Sequence, residues 1–240
     1  LSTPALSDAI HNKQVFDPSI QIGESCSGTV IHSKRGQVTG NVSTIVLTAK
    51  HCVLDNSVDD TITVAKDVYN DTNRRTERKI YFTKYLGSSY KSDLALLKLK
   101  DQDTLFPTAT IAPKDIKLEF GQAVEVVGYP LGRSMTWTLG SLGFVEEIEA
   151  FKKLSNTTEY YRATPDVVGG SSGSPMFTKD TDGDYKLIGV LTGGIRIGTF
   201  MNYYTPIEEI VDYLDIASRV FDDPKDVEKE EQDKNKEQKK

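Results

Sequence analysis

Between residues 28 and 204 the chain is broken into short runs rich in Val, Ile, Leu, Thr and Tyr, with Gly, Asp or Asn in the gaps. The runs fall at 28–32, 44–49, 62–64, 79–86, 94–99, 123–128, 136–148, 160–163, 186–191 and 199–204. Branched and aromatic side chains suit a pleated, half-buried surface, and the residues between them favour turns. The pattern predicts an all-β sandwich or a pair of barrels. Residues 106–117, with Pro107, Pro113 and little periodicity, read as the link between two β units.

A single helix is expected after the last run. Thr205 is placed to cap it, Pro206 to occupy its first position and Glu208 to complete a capping box. Ile207, Ile210, Val211 and Leu214 recur at helical spacing and define one apolar face, with the helix ending near Phe221. Residues 222–240 hold eight acidic and six basic side chains, and Val227 is their only aliphatic one. So little apolar surface does not offset the entropy of ordering, which predicts a solvated, mobile tail.

Composition narrows the function classes. The 240 residues are 38% hydrophobic, enough for a sizeable core, and no stretch approaches the ~18–20 apolar residues of a membrane-spanning helix. Twenty-nine basic against 35 acidic residues leave a net charge of −6, which argues against a general nucleic-acid-binding surface. Two cysteines are too few for a thiolate zinc site or a disulfide-stapled miniprotein. The opening residues carry no initiator Met and no leader-like segment, so the expectation is a removed targeting segment or release from a longer precursor.

Three segments carry chemistry. An apolar strand runs into His51-Cys52 from Val46, Asp93 stands directly before the apolar run 94–99, and Ser172 lies in the turn Gly169-Gly170-Ser171-Ser172-Gly173-Ser174-Pro175. Serine is a weak nucleophile at neutral pH and needs an imidazole to take its proton. A buried carboxylate must in turn fix the imidazole, and backbone N–H groups must converge on the developing oxyanion. Each segment alone has an ordinary structural reading, as a strand-end histidine, a turn aspartate or a loop. Their order and setting together favour acyl transfer.

Thr48-Ala49-Lys50-His51-Cys52, Asp93-Leu94-Ala95-Leu96-Leu97 and Gly170-Ser171-Ser172-Gly173-Ser174-Pro175 resemble the signature blocks of chymotrypsin-fold, trypsin-like serine proteases. Met176-Phe177, Gly128-Tyr129-Pro130 and the stretch from Ile188 to Gly194 look closest to bacterial glutamyl endopeptidases and HtrA-type proteases. The resemblance implies an all-β fold of two antiparallel six-stranded barrels with a C-terminal helix. Its divisions are an entry segment at 1–25, barrels at 26–105 and 118–204, the linker at 106–117, the helix at 205–221 and the charged tail. It implies Ser172 as nucleophile, His51 as general base and acid, and Asp93 as orienting carboxylate. Gly170 and Ser172 would supply the oxyanion N–H groups, and the Thr192 hydroxyl would support Asp93. No cofactor and no metal are expected.

By the same resemblance Cys26 and Cys52 are placed for a disulfide, with two neighbouring free thiols as the alternative. A bridge would imply a secreted, extracellular or periplasmic setting. Asp166 stands six positions before Ser172, where trypsin-type members carry the acidic floor of the substrate pocket, with Gly194 and Gly198 as its open walls. That implies cleavage after Arg or Lys, and leaves small, apolar or Glu side chains as alternatives. Leu191 stands where Glu-specific relatives place a histidine. Ser171 replaces the aspartate with which trypsin-like zymogens capture a new N-terminus, so that switch is not expected. No PDZ-like module is expected beyond the helix.

Protein or peptide substrates follow, with no nucleic acid and no membrane span, and with the oligomeric state open. Two rival readings are a catalytically silent binding protein of the same fold and a narrow polyprotein-processing protease. Retention of all three site residues and of the turn glycine favours an active enzyme.

Overall fold

The β3 and β6 strands, Val42–Thr48 and Ala95–Leu99, are apolar on both faces because both faces are buried. Successive side chains alternate sides along a strand. Val46, Ala95, Leu97 and Leu99 fill the interior of one barrel, whereas Ile45, Leu47, Leu94 and Leu96 pack outward into the core of the other. The two strands pair antiparallel with Val46 opposite Leu97 and Leu47 opposite Leu96. They are the seam on which the molecule is assembled.

The computed structural model describes residues 11–54, 61–70, 74–157, 159–196 and 200–237. Among these residues the first barrel comprises β1 (Ser19–Ile22), β2 (Cys26–Arg35), β3, β4 (Thr61–Tyr69), β5 (Arg75–Ser88) and β6, closed in the order β1-β2-β3-β6-β5-β4. The second comprises β7 (Ala123–Gly128), β8 (Thr136–Glu147), β9 (Glu159–Ala163), β10 (Pro175–Lys179), β11 (Tyr185–Arg196) and β12 (Phe200–Pro206). It closes as β10-β11-β12-β9-β8-β7, the same pattern read from the other end. Closure leaves neither sheet a free edge. The chain passes between barrels without a regular element, held by Ala109 N–H to Val30 O and Ala112 N–H to Leu187 O, at 2.8 and 3.0 Å.

Both ends of the described chain lie against the barrel they do not belong to. Before β1, His11 packs among Phe16, Trp137 and Tyr185, with its Nε2 2.5 Å from Glu125 of β7. Gln14 donates to Asp184 at 2.8 Å. After the second barrel, helix α1 (Ile207–Ala217) buries Ile207, Ile210 and Leu214, and its Tyr213 hydroxyl donates to Gly87 O of β5 at 2.8 Å. Among the described residues no helix is long and apolar enough to cross a membrane.

Two features at the C-terminal end differ from the sequence expectation. The capping box does not form. Thr205 belongs to β12, where its hydroxyl meets that of Thr192 at 2.8 Å, and Pro206 is an extended N-cap without a side-chain bond. Glu208 accepts from the Tyr161 hydroxyl at 2.8 Å instead. The expected solvated tail is in fact helix α2, Pro224–Glu237. Asp226 is buried, and its carboxylate accepts the Val38 N–H at 2.6 Å and the Thr39 hydroxyl at 2.7 Å in the β2–β3 turn. Those bonds hold its carboxyl below the ordinary aspartate value, the Thr39 hydroxyl first and the Val38 N–H next. Asp222 meets His32 at 2.8 Å, Lys34 pairs with Glu230, and the Phe221 carbonyl accepts from Ser43 and, at 2.8 Å, from Lys98. Charge-assisted bonds to the barrel supply the ordering that apolar area does not.

Candidate active site

His51 sits in the single 3-10 turn Lys50–Cys52 that follows β3. Asp93, fully buried, precedes β6 on the neighbouring strand of the seam. Three bonds tie them. The Lys50 N–H donates to the Asp93 carbonyl at 3.2 Å, the His51 N–H to Asp93 Oδ1 at 2.9 Å, and His51 Nδ1 to Asp93 Oδ2 at 2.7 Å. A carboxylate only accepts, so Nδ1 carries the ring proton and Nε2 of the neutral imidazole is left as a base. Burial with two N–H donors fixes both the tautomer and the plane of the ring.

Thr192 is buried, but its hydroxyl pairs with Thr205 rather than with Asp93. This corrects the support role that the resemblance implies for it. The β12 threonine is the nearer partner once that strand extends through Pro206.

Cys26, at the start of β2, and Cys52 are joined by a disulfide across 26 positions. His51 and the two sulfurs offer atoms within 4.8 Å of one another. A disulfide presents no thiolate, so this is no metal site. The bridge ties the histidine turn to β2, and β2 meets the serine loop. Ser27 N–H donates to the Ser172 carbonyl at 2.7 Å, and Cys52 Sγ lies 3.7 Å from the same oxygen.

The loop around Ser172 is held by backbone. Gly173 N–H donates to Leu191 O at 2.8 Å, Ser171 N–H to Val168 O at 3.0 Å, Ser174 N–H to Ser171 O at 2.9 Å and Leu131 N–H to Gly169 O at 2.8 Å. The Ser27 hydroxyl accepts from the Tyr129 N–H at 2.9 Å and donates to Gly170 O at 3.1 Å. Gly170 and Gly173 have φ of +91° and +82°. A Cβ on Gly170 would collide with the Leu131 backbone, and one on Gly173 with Ser27 O and the Thr48 hydroxyl. Only glycine satisfies both the dihedral and the approach. Among the described residues the N–H groups of Gly170 and Ser172 have no acceptor. Two unpartnered donors therefore flank the serine, as stabilisation of an oxyanion requires.

Of the residues expected to form a substrate pocket, Asp166 and Gly194 do not line one cavity. Asp166 is exposed and lines a cavity of about 220 Å³ with Gly128, Thr136, Thr138, Ser171 and Ser174. Gly194 does not line it. It faces Asn202 across the β11–β12 pair, and the Asn202 Oδ1 lies 2.8 Å from where a Gly194 Cβ would stand. Gly198 lies outside the described residues. Sequence reasoning missed the neighbours that shape this region. Asn202 is buried and donates to Pro165 O at 2.7 Å, and the Phe151 ring lies 3.3 Å from where a Gly193 Cβ would stand while packing edge-on against Tyr160 and Tyr203. Phe151 lies in the single 3-10 turn Glu149–Phe151, too short for any periodicity, so nothing in the local sequence marked it.

Two six-stranded barrels joined along β3 and β6, with a His51–Asp93 pair carried by one and a glycine-held serine loop by the other, define a chymotrypsin-like protease fold. Residues 26–190 match the Trypsin-like peptidase domain, and the chain belongs to that family of serine endopeptidases. It is 31% identical over 107 residues to a probable periplasmic serine endoprotease DegP-like of Marinomonas sp. (strain MWYL1), a match spanning 45% of this chain and 22% of that protein. In structure it is similar to the crystal structure of Deg5, with a TM-score of 0.60 at 22% identity, covering 89% of this chain and 96% of that one. It is also similar to an inactive form of Rv3671c from M. tuberculosis H37Rv, with a TM-score of 0.63 at 19% identity, covering 93% and 97%. At those identities the two structures bear on the fold alone.

Proposed function

We propose that the domain hydrolyses peptide bonds of protein substrates through an acyl-enzyme on Ser172. His51 Nε2 takes the Ser172 proton as Oγ bonds to the substrate carbonyl carbon, and the carbonyl π electrons pass to oxygen. The N–H groups of Gly170 and Ser172 bind that oxyanion. The intermediate collapses as the amine leaves with the proton from His51, and water repeats the sequence to free the acid. Asp93 holds the imidazole in the tautomer that can accept, and stabilises the imidazolium once formed. The observation that carries this reading is the double clasp of buried Asp93 on His51, at 2.7 and 2.9 Å, beside a serine flanked by two unpartnered N–H groups. The Cys26–Cys52 disulfide, and the periplasmic description of the DegP-like relative, support an extracytoplasmic site of action.

The test is initial rates on fluorogenic peptides differing only at the residue before the scissile bond, with Ser172→Ala as blank. Cleavage absent from the blank supports the reading, and no cleavage above the blank overturns it in favour of a silent binding module. The same peptides address side-chain preference. Cleavage after Arg or Lys that Asp166→Ala abolishes assigns that exposed carboxylate to the substrate. Cleavage after small or apolar residues assigns selection to the wall of Gly193, Gly194 and Asn202.

A further inference from the structure

An oxyanion donor works only if its peptide plane is held. The carbonyl and N–H of one trans peptide point in opposite directions, so whatever grips the carbonyl aims the N–H. For the Ser171–Ser172 peptide the grip is local, because Ser171 O accepts the Ser174 N–H at 2.9 Å. For the Gly169–Gly170 peptide it comes from another segment. Gly169 O accepts the Leu131 N–H at 2.8 Å, in the turn that follows β7.

Leu131 is unusual in its backbone. Its φ is +55° and its ψ 26°, and among the described residues it is the only non-glycine with positive φ. Leucine gains nothing locally from that conformation. Its side chain is 67% exposed, so burial of the side chain does not account for it either. The flanks impose it instead. Tyr129 is buried and held by Ser27, Gly132 N–H donates to Tyr129 O at 3.1 Å, and Arg133 N–H donates to Pro130 O at 3.0 Å. Gly132 has a φ of +66° and approaches the Glu24 carbonyl so closely that a Cβ would collide. An outlier so over-determined by its surroundings points to a function.

We propose that Leu131 is a positioning residue for catalysis: by accepting left-handed φ between pinned flanks it lets the Pro130–Leu131 peptide hold its N–H on the Gly169 carbonyl, and so keeps the Gly170 N–H turned toward the oxyanion. Were Leu131 to relax to negative φ, its N–H would leave Gly169 O. The freed peptide can then rotate and present a carbonyl where a donor is needed. The inference rests on the acyl-enzyme reading of Ser172.

The experiment replaces Leu131 by its α-hydroxy acid, which exchanges the N–H for an ester oxygen and keeps the side chain, alongside Leu131→Val, Leu131→Asn and Leu131→Gly. Measurements are kcat and KM on one peptide amide, affinity for a peptidyl trifluoromethyl ketone, affinity for the product peptide, and thermal unfolding. The ester variant is expected to lose kcat by roughly tenfold to a hundredfold, part of the effect of deleting an oxyanion donor. KM and product affinity stay within about twofold, while affinity for the ketone falls with kcat. Leu131→Val, poorly suited to positive φ, is expected to fall in the same direction, and Leu131→Asn and Leu131→Gly to recover kcat relative to it despite lacking the leucine side chain. In the protein bound to the ketone, the Gly170 amide proton moves downfield, and the shift shrinks in Leu131→Val.

Unchanged kcat in the ester and valine variants overturns the proposal. So does a loss that tracks side-chain size or unfolding temperature rather than preference for positive φ. If the ester variant does not fold, the Val, Asn and Gly series decides alone. A wild-type protein no more active than Ser172→Ala overturns the underlying reading and this inference with it, a result distinct from either of the others.

Discussion

The two halves of the candidate site are secured by different chemistry. On the first barrel, one side chain grips another, with the Asp93 carboxylate bonded to both the ring and the backbone N–H of His51. On the second, Ser172 is surrounded by main-chain bonds from Ser27, Val168, Leu131 and Leu191, in which side-chain identity enters chiefly through glycine. The side-chain half tolerates no change of functional group. The main-chain half tolerates many side chains, provided that the backbone reaches its dihedrals.

Removing a functional group on either side gives the largest effects. Ser172→Ala is expected to lower kcat by roughly 10⁶-fold, and Asp93→Asn by roughly 10⁴-fold with little change in KM, because the amide favours the wrong imidazole tautomer. Both are read by steady-state kinetics; a mild Asp93→Asn would break the comparison by showing that the turn alone orients His51. Next come Gly170→Ala and Gly173→Ala. Each adds one methyl where there is no room, and each is expected to lower kcat by roughly 10²–10³-fold while far-UV circular dichroism stays native.

The disulfide lies within the first barrel and ties the His51 turn to β2, the strand that bonds the serine loop, so its loss sharpens the contrast. Cys26→Ser with Cys52→Ser is expected to lower unfolding free energy by ~3 kcal/mol through loop-closure entropy, measured in urea with and without reductant. Smallest is the Asp226 clamp. Its carboxyl is held below the ordinary value of 3.8, so the contribution is present above that pH and is lost as pH falls through the lowered value. The protection factors of the Val38 and Thr39 amides are expected to fall in that acid window, and Asp226→Asn to lower them at neutral pH.

The same contrast explains what was legible in the sequence. His51, Asp93 and Ser172 stand out because a histidine, an acid and a serine each announce a chemistry, and the apolar runs of β3 and β6 announce strands buried on both sides. The grip of Leu131 on Gly169 leaves no such mark, since any residue but proline has an N–H to offer. Thr205 carried a correct local signal for a cap that tertiary pairing with Thr192 overrode. In α2 and just before it, the charges that read as solvation are the groups that dock the segment, and their partners His32, Lys34, Val38 and Thr39 are nearly two hundred positions away. Asp166 shows the limit of spacing, which counts positions from Ser172 but does not say that the residue is exposed.

The crossing of the chain ends has a consequence for biosynthesis. The first barrel leaves the ribosome before the second. Its Ser43 hydroxyl, its Lys98 amine and the β2–β3 turn amides find their partners only in residues 221–226. A segment made after both barrels therefore completes the earlier one. A chain with all three chemistry-bearing segments in place but without residues 221–226 still has one barrel unsealed.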